Sequence, residues 1–120
     1  MNKIPHWQYM PGMLVQEPGR DPVRLGCRVP GALDHRWWRA IALDGTAVTV
    51  FEPDFQPVLD DPATLGCMLA LVRAAWHCAV YSEPNGIVGW EVHIYAPTGL
   101  QSFAGDTEGA ALLAALKGAS

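Results

Sequence analysis

The chain predicts an α+β fold, an N-terminal antiparallel β-meander followed by a helix–β-hairpin–helix unit packed on the sheet. Three observations lead there. Turn dipeptides interrupt the first half every few residues, an apolar stripe at helical spacing runs through 62–78, and period-two alternation resumes over 88–96. The expected organisation is a single domain over 1–120, with 1–51 mostly β, 52–61 a linker and 62–118 reading α-β-β-α.

Each element has a local reason. Met13–Glu17 is a short extended run closed by Pro18-Gly19, and Val23–Val29 follows Asp21-Pro22 and stops at Pro30-Gly31. Arg36–Ala42 and Thr46–Phe51 flank Asp44-Gly45, a dipeptide that supplies the positive φ of a tight hairpin turn. In the second of these strands Val48 and Val50 share one face, and Ala47, Thr49 and Phe51 the other. The prolines of 52–61 suggest a crossing segment. Asp61-Pro62 then starts a helix, because the carboxylate accepts an orphan N–H and proline at the first helical position sacrifices no donor. Leu65, Met68, Leu69, Val72 and Trp76 form its predicted buried stripe over 62–78, packing against Val92, Ile94 and Leu116. After Asn85-Gly86, Val88–Ala96 alternates Trp90, Val92 and Ile94 with Glu91, His93 and Tyr95. Pro97-Thr98-Gly99 turns into a partner strand, Leu100–Ala104. Asp106 or Thr107 caps a last helix carrying Leu112, Leu113 and Leu116, with Gly118 expected as its C-terminal cap.

Composition narrows the class. Half of the 120 residues are hydrophobic and 17% are charged, and the formal net charge is −4. The charge is asymmetric: residues 1–39 hold six basic side chains against three acidic ones, whereas 40–116 hold nine acidic against Arg73 alone. Three cysteines, Cys27, Cys67 and Cys78, show no paired spacing, which points to reduced thiols in a cytosolic compartment rather than a disulfide framework. The stretch Met1–Trp7 has no apolar signal core, and Leu65–Val72 is too short to span a bilayer, so no membrane role is expected.

Candidate chemistry is sparse. Cys67 and Cys78 lie eleven residues apart on one helix, about 16 Å, too far for a shared zinc, and His6, His35 and His93 fall in other elements; no metal is expected. No Gly-x-Ser-x-Gly elbow surrounds Ser82, Ser102 or Ser120. Cys67 sits among Leu65, Met68 and Leu69, where an apolar setting would suppress the thiolate. No phosphate-binding glycine loop is present, and Asp60-Asp61 reads as a helix cap with a dipole-matched charge. No catalytic residue or cofactor is expected, and the chain reads as a non-enzyme. Arg36-Trp37-Trp38-Arg39, with Arg24 and Arg28, would suit a nucleic-acid backbone, but the negative total argues against direct binding. The preferred candidates are therefore partner-binding residues: Trp7, Tyr9, Arg36, Trp38 and Arg39 as aromatic and cationic anchors, and Asp54, Asp60 and Asp61 as an acidic face for a basic partner.

Three stretches carry a resemblance. They are Trp7–Met13 (WQYMPGM), Asp61–Trp76 (DPATLGCMLALVRAAW) and Asp106–Leu116 (DTEGAALLAAL, where Gly109 replaces a better helix former). Together they resemble small uncharacterised proteins encoded by bacteriophages and prophages, over about a third of the chain. That family brings no activity and no functional residues. The resemblance implies a setting: an accessory protein in an infected or lysogenic bacterium that binds a host or phage protein, as inhibitors of bacterial defence such as anti-CRISPRs do.

Overall fold

The computed structural model describes residues 4–86 and 89–119; Met1, Val88 and Ser120, named above, lie outside them. The chain forms an α+β structure that divides into two compact units, residues 9–64 and residues 4–8 with 65–119.

The first unit is a five-stranded antiparallel sheet of β1 (Leu14–Gln16), β2 (Val23–Arg28), β3 (Trp37–Ala42), β4 (Ala47–Phe51) and β5 (Gln56–Pro57), in the order β4-β3-β2-β1-β5. The predicted meander is present. Gly45, with φ +88°, makes the β3–β4 turn, and the Ala42 and Thr46 backbones close it. The expected linker over 52–61 is corrected: Glu52–Asp54 is a 3₁₀ turn, Phe55 is buried, and Gln56–Pro57 pairs with β1 as an edge strand, where proline costs no interior ladder bond. Met13, Val15, Leu25, Trp38, Ala40, Val50 and Phe55 are buried.

The helix α1 (Pro62–Trp76) begins as predicted. Asp61 Oδ2 accepts from the Thr64 amide at 3.0 Å and from its hydroxyl at 3.1 Å, while Thr64 Oγ1 accepts from the Leu14 amide at 2.8 Å, fixing the first turn beside β1. The helix ends at Trp76, short of the expected 78, because His77 turns to φ +56° while its amide still bonds to Arg73. Its buried stripe is rotated from the one expected. Met68, Leu71 and Val72 are buried, whereas Leu65, Leu69 and Trp76 are half-buried.

The second unit adds a strand to the expected hairpin. Val80–Pro84 forms β6, so β6, β7 (Trp90–Ala96) and β8 (Gly99–Gly105) make a three-stranded antiparallel sheet in that order. The helix α2 (Glu108–Gly118) packs on it, capped by Thr107, whose Oγ1 accepts from the Ala110 amide at 3.1 Å. Val80, Val92, Ile94, Leu112 and Leu116 are buried, and Trp76 Nε1 donates to the Ala115 carbonyl at 2.8 Å. Gly118 is not the cap: Ala119 follows in extended conformation, and a Cβ on Gly118 would fall 2.5 Å from the Phe103 ring.

Candidate functional site

Two open sheet faces gather the side chains capable of recognition or chemistry. On the first unit, period-two alternation sends Trp38 and Ala40 inward and Trp37, Arg39 and Ile41 outward. Cross-strand register adds neighbours: Phe51 opposite Trp37, Thr49 opposite Arg39, Ala47 opposite Ile41. Trp37 is 39% exposed and Ile41 48%, and the Trp37 and Phe51 rings lie 4.8 Å apart. A bulge between Leu25 and Cys27 leaves Gly26 against the Arg39 carbonyl, where an added Cβ would sit at 3.2 Å. Beside it opens a shallow cleft of about 250 Å³ lined by Gly26, Arg39, Ile41, Ala47 and Thr49 among others.

The arginines differ in how their charge is spent. Arg24 is bidentate to Asp61 at 2.9 and 3.0 Å. Arg28 lies 4.6 Å over the Trp38 ring and bonds to Glu52 at 3.3 Å. Arg36 is held by both oxygens of Asp34 and stacks 4.8 Å from the Phe51 centroid; its guanidinium in turn holds the exposed Asp34 carboxyl down at about 2. Arg39, among the described residues, has no ion pair.

The expected partner-binding residues scatter accordingly. Trp38 is corrected: it is 2% exposed and its Nε1 donates to Glu52, so Trp37 is the available indole. Asp61 is also corrected, being occupied by Arg24 and the α1 cap with a side chain only 9% exposed. Asp54 and Asp60 are exposed. Tyr9 is half-buried, donates to the Phe55 carbonyl at 3.2 Å and meets that ring edge-on, while Trp7 belongs to the other unit and is half-buried there. Cys27 is exposed, and Cys67 and Cys78 are half-buried.

On the second unit, the β6–β7–β8 face opposite α2 carries Tyr81 and Glu83 from β6, Glu91, His93 and Tyr95 from β7, and Ser102 from β8. His93 is 8% exposed. Its Nε2 lies 2.8 Å from Glu83 Oε1 and 3.4 Å from Glu91 Oε2, and its Nδ1 lies 2.9 Å from Ser102 Oγ. Tyr81 packs 5.0 Å from the imidazole and stacks on Tyr95; hydrogen bonding to the Tyr95 hydroxyl pushes the Tyr81 phenol up to about 12, keeping it neutral. This convergence was missed because it depends on β6, which the sequence analysis lacked. The usable signal was Glu91-x-His93, an i, i+2 pair that shares one strand face.

No protein-family model, curated protein or solved structure matches this chain.

Proposed function

We propose that the chain is a non-enzymatic interaction module that docks a protein partner on the outer face of its five-stranded sheet, around Trp37, Arg39 and Ile41. The supporting observation is the combination on one open face of a half-exposed indole, an isoleucine and an arginine free of ion pairs, beside a cleft. Tryptophan and arginine dominate binding hot spots because each joins a large contact area to directional donors. A partner presenting a carboxylate flanked by apolar side chains matches this chemistry. The resemblance to phage-encoded proteins supports a bacterial or phage protein as that partner, and extends the reading to an inhibitor of bacterial defence. The acidic positions Asp54 and Asp60 are a separate exposed feature and are not needed for this docking.

The test is affinity capture from bacterial lysate, followed by calorimetry on the purified partner. Trp37→Ala and Arg39→Ala should each weaken binding by about 30-fold or more, equivalent to about 2 kcal/mol at a hot spot. Unchanged affinity in both variants, with folding intact by circular dichroism, would reject this face.

A further inference from the structure

We propose that Glu83, Glu91 and His93 form a binding site for a divalent transition-metal ion of the zinc type, on the open face of the three-stranded sheet. The site lies in the second unit and is independent of the docking face.

The geometry starts from strand pairing. Glu83 and Glu91 are directly opposite across β6 and β7, and His93 follows Glu91 by two residues, so all three side chains leave the same face. One ligand atom from each lies within 4.8 Å of the others. Donors bound at about 2.0–2.2 Å to one ion sit roughly 3.0–3.5 Å apart. Of the two imidazole–carboxylate separations, 3.4 Å already falls in that range and 2.8 Å lies just below it. Small rotations of glutamate chains that are 52% and 33% exposed complete the set.

The hydrogen bonding favours a cation over a purely structural cluster. Two carboxylates converge on one imidazole nitrogen, yet one N–H satisfies only one acceptor well. Among the described residues, no lysine or arginine pairs with either glutamate. A dication balances both charges and accepts the imidazole lone pair as well. Ser102 serves as the outer support. A hydroxyl both donates and accepts, so it donates to Nδ1 when Nε2 carries the proton, and accepts from Nδ1–H when Nε2 binds metal. Burial of the ring and its contact with Tyr81 hold Nε2 toward the carboxylates. One nitrogen and two oxygens suit zinc and its neighbours better than magnesium, which prefers oxygen alone. Three protein ligands leave further positions to water.

Calorimetric titration of the whole chain with Zn²⁺, Mn²⁺ and Mg²⁺ tests this. Zinc should bind at one equivalent and raise the thermal midpoint. Glu83→Gln, at an exposed position, and Glu91→Gln should each lower zinc affinity at least tenfold. Ser102→Ala should lower it about tenfold through loss of imidazole orientation. In the unaltered chain, zinc should displace the imidazole nitrogen resonance of His93. Zinc binding that survives both glutamine variants overturns the proposal, as does an unmoved His93 resonance or binding of magnesium but not zinc.

Discussion

Asp61 shows how one side chain can join sequence signal, packing and pH response. Its two oxygens receive two bonds from Arg24 and two from Thr64, so the carboxylate caps α1 and pairs a cation at once. The Arg24 hydrogen bonds chiefly hold its pKa down at about 2, with burial opposing and Thr64 assisting. A depressed carboxylate stabilises the fold fully above its unfolded value of about 3.9, and that stability is lost as pH falls toward 2. Asp61→Asn keeps a capping side chain but removes the charge. It should cost about 1–2 kcal/mol near neutrality, the pair being partly solvent-screened, and should flatten the acid limb below about pH 4. Urea unfolding across a pH series measures this, and a variant with the wild-type acid slope would contradict it. The cap itself was legible in Asp61-Pro62. The Arg24 partner was not, because it lies 37 residues away and is set by the register of β2.

At the scale of elements, local punctuation was a good guide and crossings were a poor one. Asp44-Gly45, Asn85-Gly86 and Thr107 mark real turns and a real cap, because their chemistry acts within a few residues. The strand β6 escaped notice since Val80–Pro84 contains a serine and ends on proline, and only pairing with β7 makes it regular. The α1 stripe was misjudged by a fraction of a turn because Leu69 and Leu71 are equally apolar; packing, not composition, buries Leu71. Glycines give a sharper test. A Cβ on Gly105 would lie 2.5 Å from the Ala111 amide nitrogen and 2.8 Å from the Ala110 carbonyl carbon, both backbone atoms that cannot rotate away. Gly105→Ala should destabilise by about 1–3 kcal/mol as α2 is pushed off β8. Gly66, exposed within α1, has open space around it, so Gly66→Ala should stabilise by about 0.5–1 kcal/mol. Thermal unfolding of the pair should show opposite signs; equal signs would mean that the helix contacts are wrong.

For the whole molecule, a net charge of −4 and the pairing of Arg24, Arg28 and Arg36 with Asp61, Glu52 and Asp34 reduce the cationic charge open to a phosphate backbone. Gel-shift titration with random duplex DNA at low salt should therefore show no complex. A micromolar, salt-sensitive shift, weakened by Arg39→Ala, would transfer the docking face to nucleic acid. Composition suggested this balance, but it could not say which arginines were neutralised. Strand alternation likewise sends Trp37 and Trp38 to opposite faces, but the expected anchor, Trp38, is the inner one, because only the core decides which side is buried. The boundary between the units falls between Thr64 and Leu65, inside α1. Recombination that exchanged one unit would have to sever a helix, sending the capping residues Asp61 and Thr64 with one fragment and the apolar side chains of Met68, Leu71 and Val72 with the other. An exchange at that boundary would leave neither fragment with a complete α1.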